Sequence, residues 1–566
     1  MPKKGITPAS LKQSAEKLFP PLLKTQLFPL LKGIERKSKA GQNERDNGFY
    51  HMARILYMLQ EQFPPQKESN QSEETTQNRP SFDCPLHILF SNPQIQEIAE
   101  SLAAFHDLVD VKHSKRVFSK NQVDVNVYQT PESRAEYIVA QFRDTLKPLT
   151  VAPETFINLL KALDIVETTA EQIRDQYAVE HILPWQIPIA ELTTIKEIVE
   201  KYGPLPLLIK AIELIDNLEY PLPAENSNTP NYRMRQDAIE AFYFYLPFLE
   251  IIGAYKLHRR LKELALRYLY PELCVTKSDG KPNWRSEIQS AIEKAHSLAE
   301  RSKKAFQIIG PALLKTAEIA PNIQEQQIES LEQFAADMFW QVRDCNYPYS
   351  MQIIPPRIYH RIKGEGSTIE KAVRYSKEQV EKIEENKGTS IKNIANLILQ
   401  IPDLYGVTMV ISSEQLTKLK AKLENILKLL ENLQSKYIHP SGTSLIEEIN
   451  SKVGYVATHV ILHIPKNITA NKEQWNQLVQ ILQLNVNEEQ KLKQIVQQGD
   501  VRIEIHLTTP QNNLHNLFYA THIAYVASQK RKGQQAGDIQ DLQEAENVIR
   551  QITYTWRPWN LNDEQN

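Results

Sequence analysis

Four residues in the N-terminal half are of the types that together hold a metal ion: His51, the adjacent His106 and Asp107, and Glu213. Neutral imidazole and carboxylate in one cluster suit Mn²⁺, iron or zinc, and such an ion supplies the Lewis acidity that phosphoester hydrolysis uses. A single His-Asp pair also arises cheaply by chance, and a His at a helix start is commonly a surface residue or a cap. A second group stands in the C-terminal half, where Arg361-Ile-Lys363-Gly-Glu-Gly-Ser367-Thr-Ile-Glu-Lys371 sets three cations and a hydroxyl on a loop entering a helix. A triphosphate needs such a set: Arg for forked contacts, Lys for point charge, and a helix N-terminus for backbone N–H donors. Taken by itself, the run is also what a solvated helix start looks like.

These residues need elements to hold them. His51 heads a helix whose apolar positions Met52, Ile55, Leu56 and Leu59 follow a helical period. A helix from Pro93 carries Ile95, Ile98, Ala99, Leu102 and Phe105 as its buried stripe and ends in His106-Asp107. Glu213 falls in a helix at 205–219, after helices at 131–147, 153–165, 170–179 and 190–201. From Tyr243 to Glu272 the pattern predicts an amphipathic helix pair that turns at Gly253 and closes before Pro271. Long helices at 287–318 and 322–340 follow a polar turn region at 273–286. Beyond 350 the character changes. Short β-rich runs at Met351–Ile354, Leu404–Ser412, Val456–Ile464 and Val501–Thr508 alternate with helices 367–386, 413–435 and 472–496. That alternation predicts one α/β domain with a mixed sheet covered by helices, and a last helix at 513–530. Residues 62–80, 112–130 and 221–231 read as an irregular insertion and two loops.

The chain of 566 residues is too long for one core. The expected division is 1–235, a joint at 236–345, and 346–566. A net charge of −2 argues against wholesale nucleic-acid binding and leaves room for a local basic pocket. No apolar run has the length that crosses a bilayer, so no membrane partner is expected. Met1-Pro-Lys-Lys has no apolar segment behind it, and the three cysteines, Cys84, Cys274 and Cys345, form no close pair. A reducing cytoplasm is the expected compartment.

The order of residues adds a resemblance. Pro247, Gly253, Leu261, Glu263, Leu264, Tyr268, Leu269, Pro271 and Glu272 match the segment that joins the hydrolase and synthetase halves of RelA/SpoT proteins, the enzymes of the alarmone (p)ppGpp. Arg361, Lys363, Ser367 and Lys371 match that family's nucleotide-binding signature. Pro402-Asp403-Leu404 resembles its Asp-Leu-x-x-x-Arg strand, which implies Asp403 as the Mg²⁺ carboxylate and sets Thr408 where the family has Arg. Lys452-Val-Gly454-Tyr455-Val-Ala-Thr-His459 resembles its Gly-Tyr-x-x-x-His motif, which implies Tyr455 stacked on a guanine, with Lys452 and His459 also on the substrate side. The family's Glu-x-Gln-x-Arg-Thr strand is read here as Arg502-Ile-Glu504-Ile-His506-Leu507, with Arg at the catalytic Glu. Glu504, two residues on and on the same strand face, remains as a partial replacement for that ligand or base. His515 is retained in the last helix, where Tyr519 and Tyr525 replace a Glu and a His.

In the helical half the resemblance is to the family's HD hydrolase domain. Ile209-Lys210-Ala-Ile-Glu213-Leu-Ile-Asp216-Asn217 sets Glu213 at a ligand Asp and Asp216 at a His. The family's water-polarising Glu-Asp pair becomes Asp110-Val111, so Asp110 is left with one of two roles. The implied fold is α plus α/β: an all-helical HD-like domain followed by a mixed-sheet, nucleotidyltransferase-like synthetase domain. The implied chemistry is pyrophosphate transfer from ATP to the 3′-hydroxyl of GDP or GTP with Mg²⁺, hydrolysis of (p)ppGpp with Mn²⁺ or a similar ion, or both. Arg502, Thr408 and Val111 favour the alternative, a non-catalytic nucleotide sensor on the same fold. No ribosome-sensing region is expected after the synthetase half.

Overall fold

A computed structural model describes residues 48–62, 93–109, 129–142, 152–179, 189–221, 232–276, 281–319, 328–331, 333–335, 356–380, 391–431, 446–450, 456–518, 547–549 and 551–552. Apolar residues at a period of three to four wind the N-terminal half into helices, and the faces they create pack on one another. In order these are α1 (Gly48–Gln62), α2 (Pro93–Val109), α3 (Pro131–Gln141), α4 (Pro153–Val179), α5 (Ile189–Tyr202) and α6 (Leu205–Glu219). Helix α6 is the axis of the group. It is buried on nearly every side, Lys210 and Asp216 included, and α1, α2 and α4 pack against it. A helix apolar all round belongs inside a bundle, so its two charged residues need partners there.

The joint begins with α7 (Tyr232–Glu240), which passes through a π-helical turn, Ala241–Tyr245, into α8 (Leu246–Ile251). Pro247 has no N–H to give the preceding turn, and the wide turn before it removes the clash an α-turn would make. Gly253, at φ 73°, ends α8. Ala254 N–H donates to the Leu249 carbonyl and Gly253 N–H to that of Glu250, at 2.8 and 3.1 Å. These are the two bonds of a left-handed helix stop. Helix α9 (Tyr255–Leu269) follows, burying Leu257, Leu261, Ala265 and Leu266. A short hairpin, β1 (Cys274–Thr276) and β2 (Pro282–Trp284), leads to the long α10 (Ser286–Thr316).

The remaining elements are β3 (Ile328–Ser330), β4 (Arg357–Ile362), α11 (Glu365–Val380), α12 (Ile391–Gln400), β5 (Tyr405–Val410), α13 (Ser413–Glu431), β6 (Ile446–Asn450), β7 (Val456–Ile464), α14 (Lys472–Leu482), α15 (Val486–Gln498), β8 (Val501–Thr508) and α16 (Pro510–Phe518). They form a six-stranded mixed sheet in the order β3-β4-β5-β8-β7-β6. Strands β5 and β8 run parallel, and β4, β7 and β6 meet their inner neighbours antiparallel. On β8 the period of two sends Val501, Ile503, Ile505 and Leu507 into the core and leaves Arg502, Glu504 and His506 on the other face. The chain is thus mostly helical with one mixed sheet.

Several boundaries differ from the sequence reading. Residues 153–179 make one helix, because Val166 and Ala170 continue the buried stripe across the expected break. The expected helix 472–496 is two, since Gln483 turns left-handed at φ 50° and Asn485 opens a new capping box with Glu488. Ile328–Ser330, inside an expected helix, pairs as a strand with β4. Arg361 belongs to β4 itself and to no loop. Helix α12 and strand β6 have no counterpart in the sequence reading. The run Met351–Ile354, the insertion at 63–80 and the loop at 222–231 lie outside the described residues.

Gly253 gives a direct check on the joint. Alanine at that left-handed angle costs roughly 1–2 kcal/mol, so Gly253→Ala lowers the denaturation midpoint by a few degrees. An unchanged midpoint in a thermal melt contradicts the turn.

Candidate functional site

Helices α1, α2 and α6 bring His51, His106, Asp107 and Glu213 together, with ligand atoms all within 4.8 Å of one another. His51, His106 and Asp107 are buried, and Glu213 nearly so. The hydrogen bonds behind the rings settle where their protons sit. His106 Nδ1 lies 2.7 Å from the Ala103 carbonyl, which can only accept, so Nδ1 carries a hydrogen and Nε2 is the nitrogen turned toward the cluster. His51 Nδ1 lies 2.7 Å from Asp216 Oδ2. Burial works against ionising Asp216, yet its hydrogen bonds from His51 and Arg54 hold its pKa down at about 2. An ionised carboxylate only accepts, so His51 Nδ1 also carries a hydrogen. The two Nε2 atoms then face each other at 3.2 Å in one small space. Two nitrogens so placed are held together by a shared proton or by a metal ion between them. Asp107 Oδ1 and Glu213 Oε2 stand 3.6 and 3.9 Å from His106 Nε2 and complete a donor set of two nitrogens and two carboxylates.

An outer layer fixes these donors. Arg54 grips Asp216 with a fork, Nε to Oδ1 at 2.6 Å and Nη2 to Oδ2 at 2.7 Å, and its guanidinium lies over the Tyr220 ring. Lys210 Nζ sits 2.8 Å from Glu213 Oε2 and 2.8 Å from Glu167 Oε2. Burial disfavours that ammonium, but the two carboxylates outweigh it and raise its pKa. In return Lys210, with His106 and His51, keeps the buried Glu213 ionised and its pKa low. Asp216, which the resemblance sets where the family has a His, stands behind His51. Arg54, Lys210 and Glu167 escaped the sequence reading. The signal for the first two was a spacing of three: Arg54 after His51, and Lys210 before Glu213, each pair on one helix face. Asp110 and Val111 lie outside the described residues.

The second cluster forms where β4, α11, β5 and β8 meet. Lys363 and Lys371 both place Nζ 2.8 Å from Asp403 Oδ2. Burial opposes ionisation of Asp403, but the two ammoniums win and press its pKa far below the usual carboxylate range. Asp403 Oδ1 is buried with no hydrogen-bond partner among the described residues. Strand register sets the neighbours: Arg361 pairs with Gly406, and Gly406 with Glu504. Glu504 Oε2 is 4.0 Å from Arg361 Nη2 and 3.1 Å from His506 Nε2. Against its burial, His506 holds Glu504 ionised. The His459 ring stacks on His506 at 3.9 Å and 12°. An imidazole lone pair lies in its ring plane, so planes this parallel do not share an ion easily. Burial and His506 push the pKa of His459 down to about 3.

The other sequence candidates divide. Ser367 is half-buried in the first turn of α11. Arg502 is taken up by the fold, donating to the Leu399 carbonyl at the end of α12 at 2.7 Å. His515 falls on α16, its side chain outside the described set, and Lys452, Tyr455, Tyr519 and Tyr525 lie outside it altogether. Neither a protein-family model nor any curated protein matches this chain.

The low pKa of Asp216 has a sign that can be tested. Its folded value, about 2, lies below its ordinary 3.8. The stabilisation is therefore full above about pH 4 and is lost as pH falls through about 2, on the order of 2 kcal/mol in all. Asp216→Asn removes this term. Denaturant titrations should show the gap between wild type and variant narrowing by roughly 1 kcal/mol from pH 7 to pH 3. A constant gap contradicts the buried, ionised carboxylate.

Proposed function

We propose that the chain is a metal-dependent hydrolase of guanosine 3′-pyrophosphates, the (p)ppGpp alarmones, joined to a domain that binds nucleotide polyphosphates and transfers pyrophosphate. The observation that carries the first part is the pair of Nε2 atoms facing each other at 3.2 Å with both Nδ1 atoms tied behind them. Metal-ligating histidines have this arrangement, one nitrogen bonded to a carboxylate or carbonyl and the other aimed at the ion. His51, His106, Asp107 and Glu213 would hold Mn²⁺ or a similar ion, as the resemblance to the HD domain implies. A divalent ion there supplies Lewis acidity toward a phosphoryl group at neutral pH. The chain's own part is to orient the two imidazoles through Asp216 and Ala103, Nε2 inward, and to keep Glu213 ionised through Lys210. The finer fold reading, an HD-like helical domain and a nucleotidyltransferase-like sheet domain, belongs to the same proposal.

The second part rests on Asp403. Its Oδ2 is occupied by two lysines, while its buried Oδ1 has no hydrogen-bond partner among the described residues and would be the oxygen to hold Mg²⁺. Arg361, Lys363, Lys371 and the N-terminus of α11 with Ser367 are the donors that the phosphates of ATP, and of GDP or GTP, would take. Lys363 and Lys371 can exchange the carboxylate for phosphate oxygens. The strand geometry also favours a different register for the family motif. With Arg502 committed to Leu399 and Glu504 beside Arg361, Glu504 itself fits the motif's Glu and His506 its Gln. The carboxylate that activates the acceptor hydroxyl is then present. This removes Arg502 from the case for a non-catalytic sensor and leaves it Thr408 and Val111.

Two incubations test the reading. With ppGpp and Mn²⁺, the wild type should release pyrophosphate, and EDTA or Glu213→Ala should reduce the rate at least 100-fold. With ATP, GDP and Mg²⁺, ppGpp should accumulate, and Asp403→Ala should stop it while leaving hydrolysis intact. No change in either tube, with nucleotide still bound, overturns the enzyme reading in favour of the sensor.

A further inference from the structure

This inference rests on the metal-centre reading and concerns what keeps two of its ligands in place. His106 and Asp107 stand in the last turn of α2, three and two residues before its final residue, Val109. The last carbonyls of a helix have no partner within it and carry the negative end of its dipole, so a terminal turn frays unless something holds it. Arg134, on α3, supplies the hold. Its Nε donates to the Val109 carbonyl at 2.7 Å, and its Nη2 donates to Asp164 Oδ1 on α4 at 2.6 Å. Arg134 is 1% exposed and among the largest fully buried side chains of the protein. Burying a guanidinium is costly unless a carboxylate and oriented acceptors offset it. The Thr130–Ser133 capping box fixes the start of α3 next to it. Phe105, beside the ligand pair, contacts Phe142 and Phe156 with ring centroids 5.0 and 6.2 Å away. The end of α2 is therefore gripped by charge at its carbonyl and by rings at its flank.

We propose that Arg134 is a positioning residue of the metal centre: with Asp164 it clamps the end of α2, so that His106 Nε2 and Asp107 Oδ1 stay in register with His51 and Glu213. Its hydrogen bond to Val109 reaches the two ligands through the backbone of α2. A purely structural Arg would support the fold equally whether or not metal binds. A positioning Arg changes the metal itself.

The test uses the full chain, stripped of metal with EDTA and titrated with Co²⁺, whose visible absorption reports its coordination. Arg134→Met keeps bulk and loses the charge, and Arg134→Lys keeps charge and loses the fork. Losing an outer-layer partner of a metal ligand typically weakens binding 10–100-fold. Arg134→Met should weaken Co²⁺ by that factor and alter the absorption band, with Arg134→Lys between it and wild type. If Arg134→Met melts earlier but binds Co²⁺ with wild-type affinity and spectrum, the residue only holds the fold and the inference is overturned. Should that variant fail to fold, Asp164→Asn decides the matter: it must shift Co²⁺ affinity in the same direction, and a wild-type value overturns the inference. A wild type that takes up no Co²⁺ refutes the metal centre itself, and this inference with it.

Discussion

The N-terminal centre depends on where two protons sit. Asp216 and the Ala103 carbonyl each claim an Nδ1 hydrogen, and those two bonds turn both Nε2 atoms into one small space. If either acceptor were absent, a ring could rotate away from its neighbour. With both present, the two Nε2 atoms share a proton or a metal ion. Arg54 matters because its fork keeps Asp216 ionised and aligned inside a bundle.

Both clusters treat buried charge in the same way. At each, a carboxylate is held ionised by lysine: Glu213 by Lys210, and Asp403 by Lys363 and Lys371. An unpaired carboxylate at this depth would take up a proton instead. The lysines therefore keep the carboxylates charged; at Asp403 they occupy only Oδ2, while at Glu213 Lys210 shares the oxygen that faces His106. Helices α6, α9 and α11 connect the two clusters physically. Arg260 on α9 pairs with Glu219 on α6, and Lys262 and Arg267 pair with Glu370 and Glu365 on α11.

Much of the scaffold was legible in the sequence because it follows from periodicity. The helix 205–219 and the strands 456–464 and 501–508 are found at those bounds, each with a clean apolar pattern. The Gly253 turn was legible because proline and glycine leave few backbone choices. Elements set by long-range pairing were not, as with Ile328–Ser330, whose strand conformation comes from β4. At the clusters, the residues that come together, His51, His106, Asp107 and Glu213, and Asp403 with Lys363 and Lys371, were legible by type and order. Their supports were harder to see. Arg54, Lys210 and Arg134 look like ordinary surface cations until the fold buries them, and the role of Asp216 needed the tautomer of His51.

The most direct test of the account is an anomalous diffraction map from crystals grown with Mn²⁺. The account predicts one strong peak bounded by His51, His106, Asp107 and Glu213, roughly 2 Å from both Nε2 atoms, near typical metal–imidazole distances. Lysine Nζ of Lys210 should remain on Glu213. No peak there at saturating Mn²⁺, with the two rings re-paired through an N–H to N bond, would contradict the metal centre and the hydrolase reading built on it.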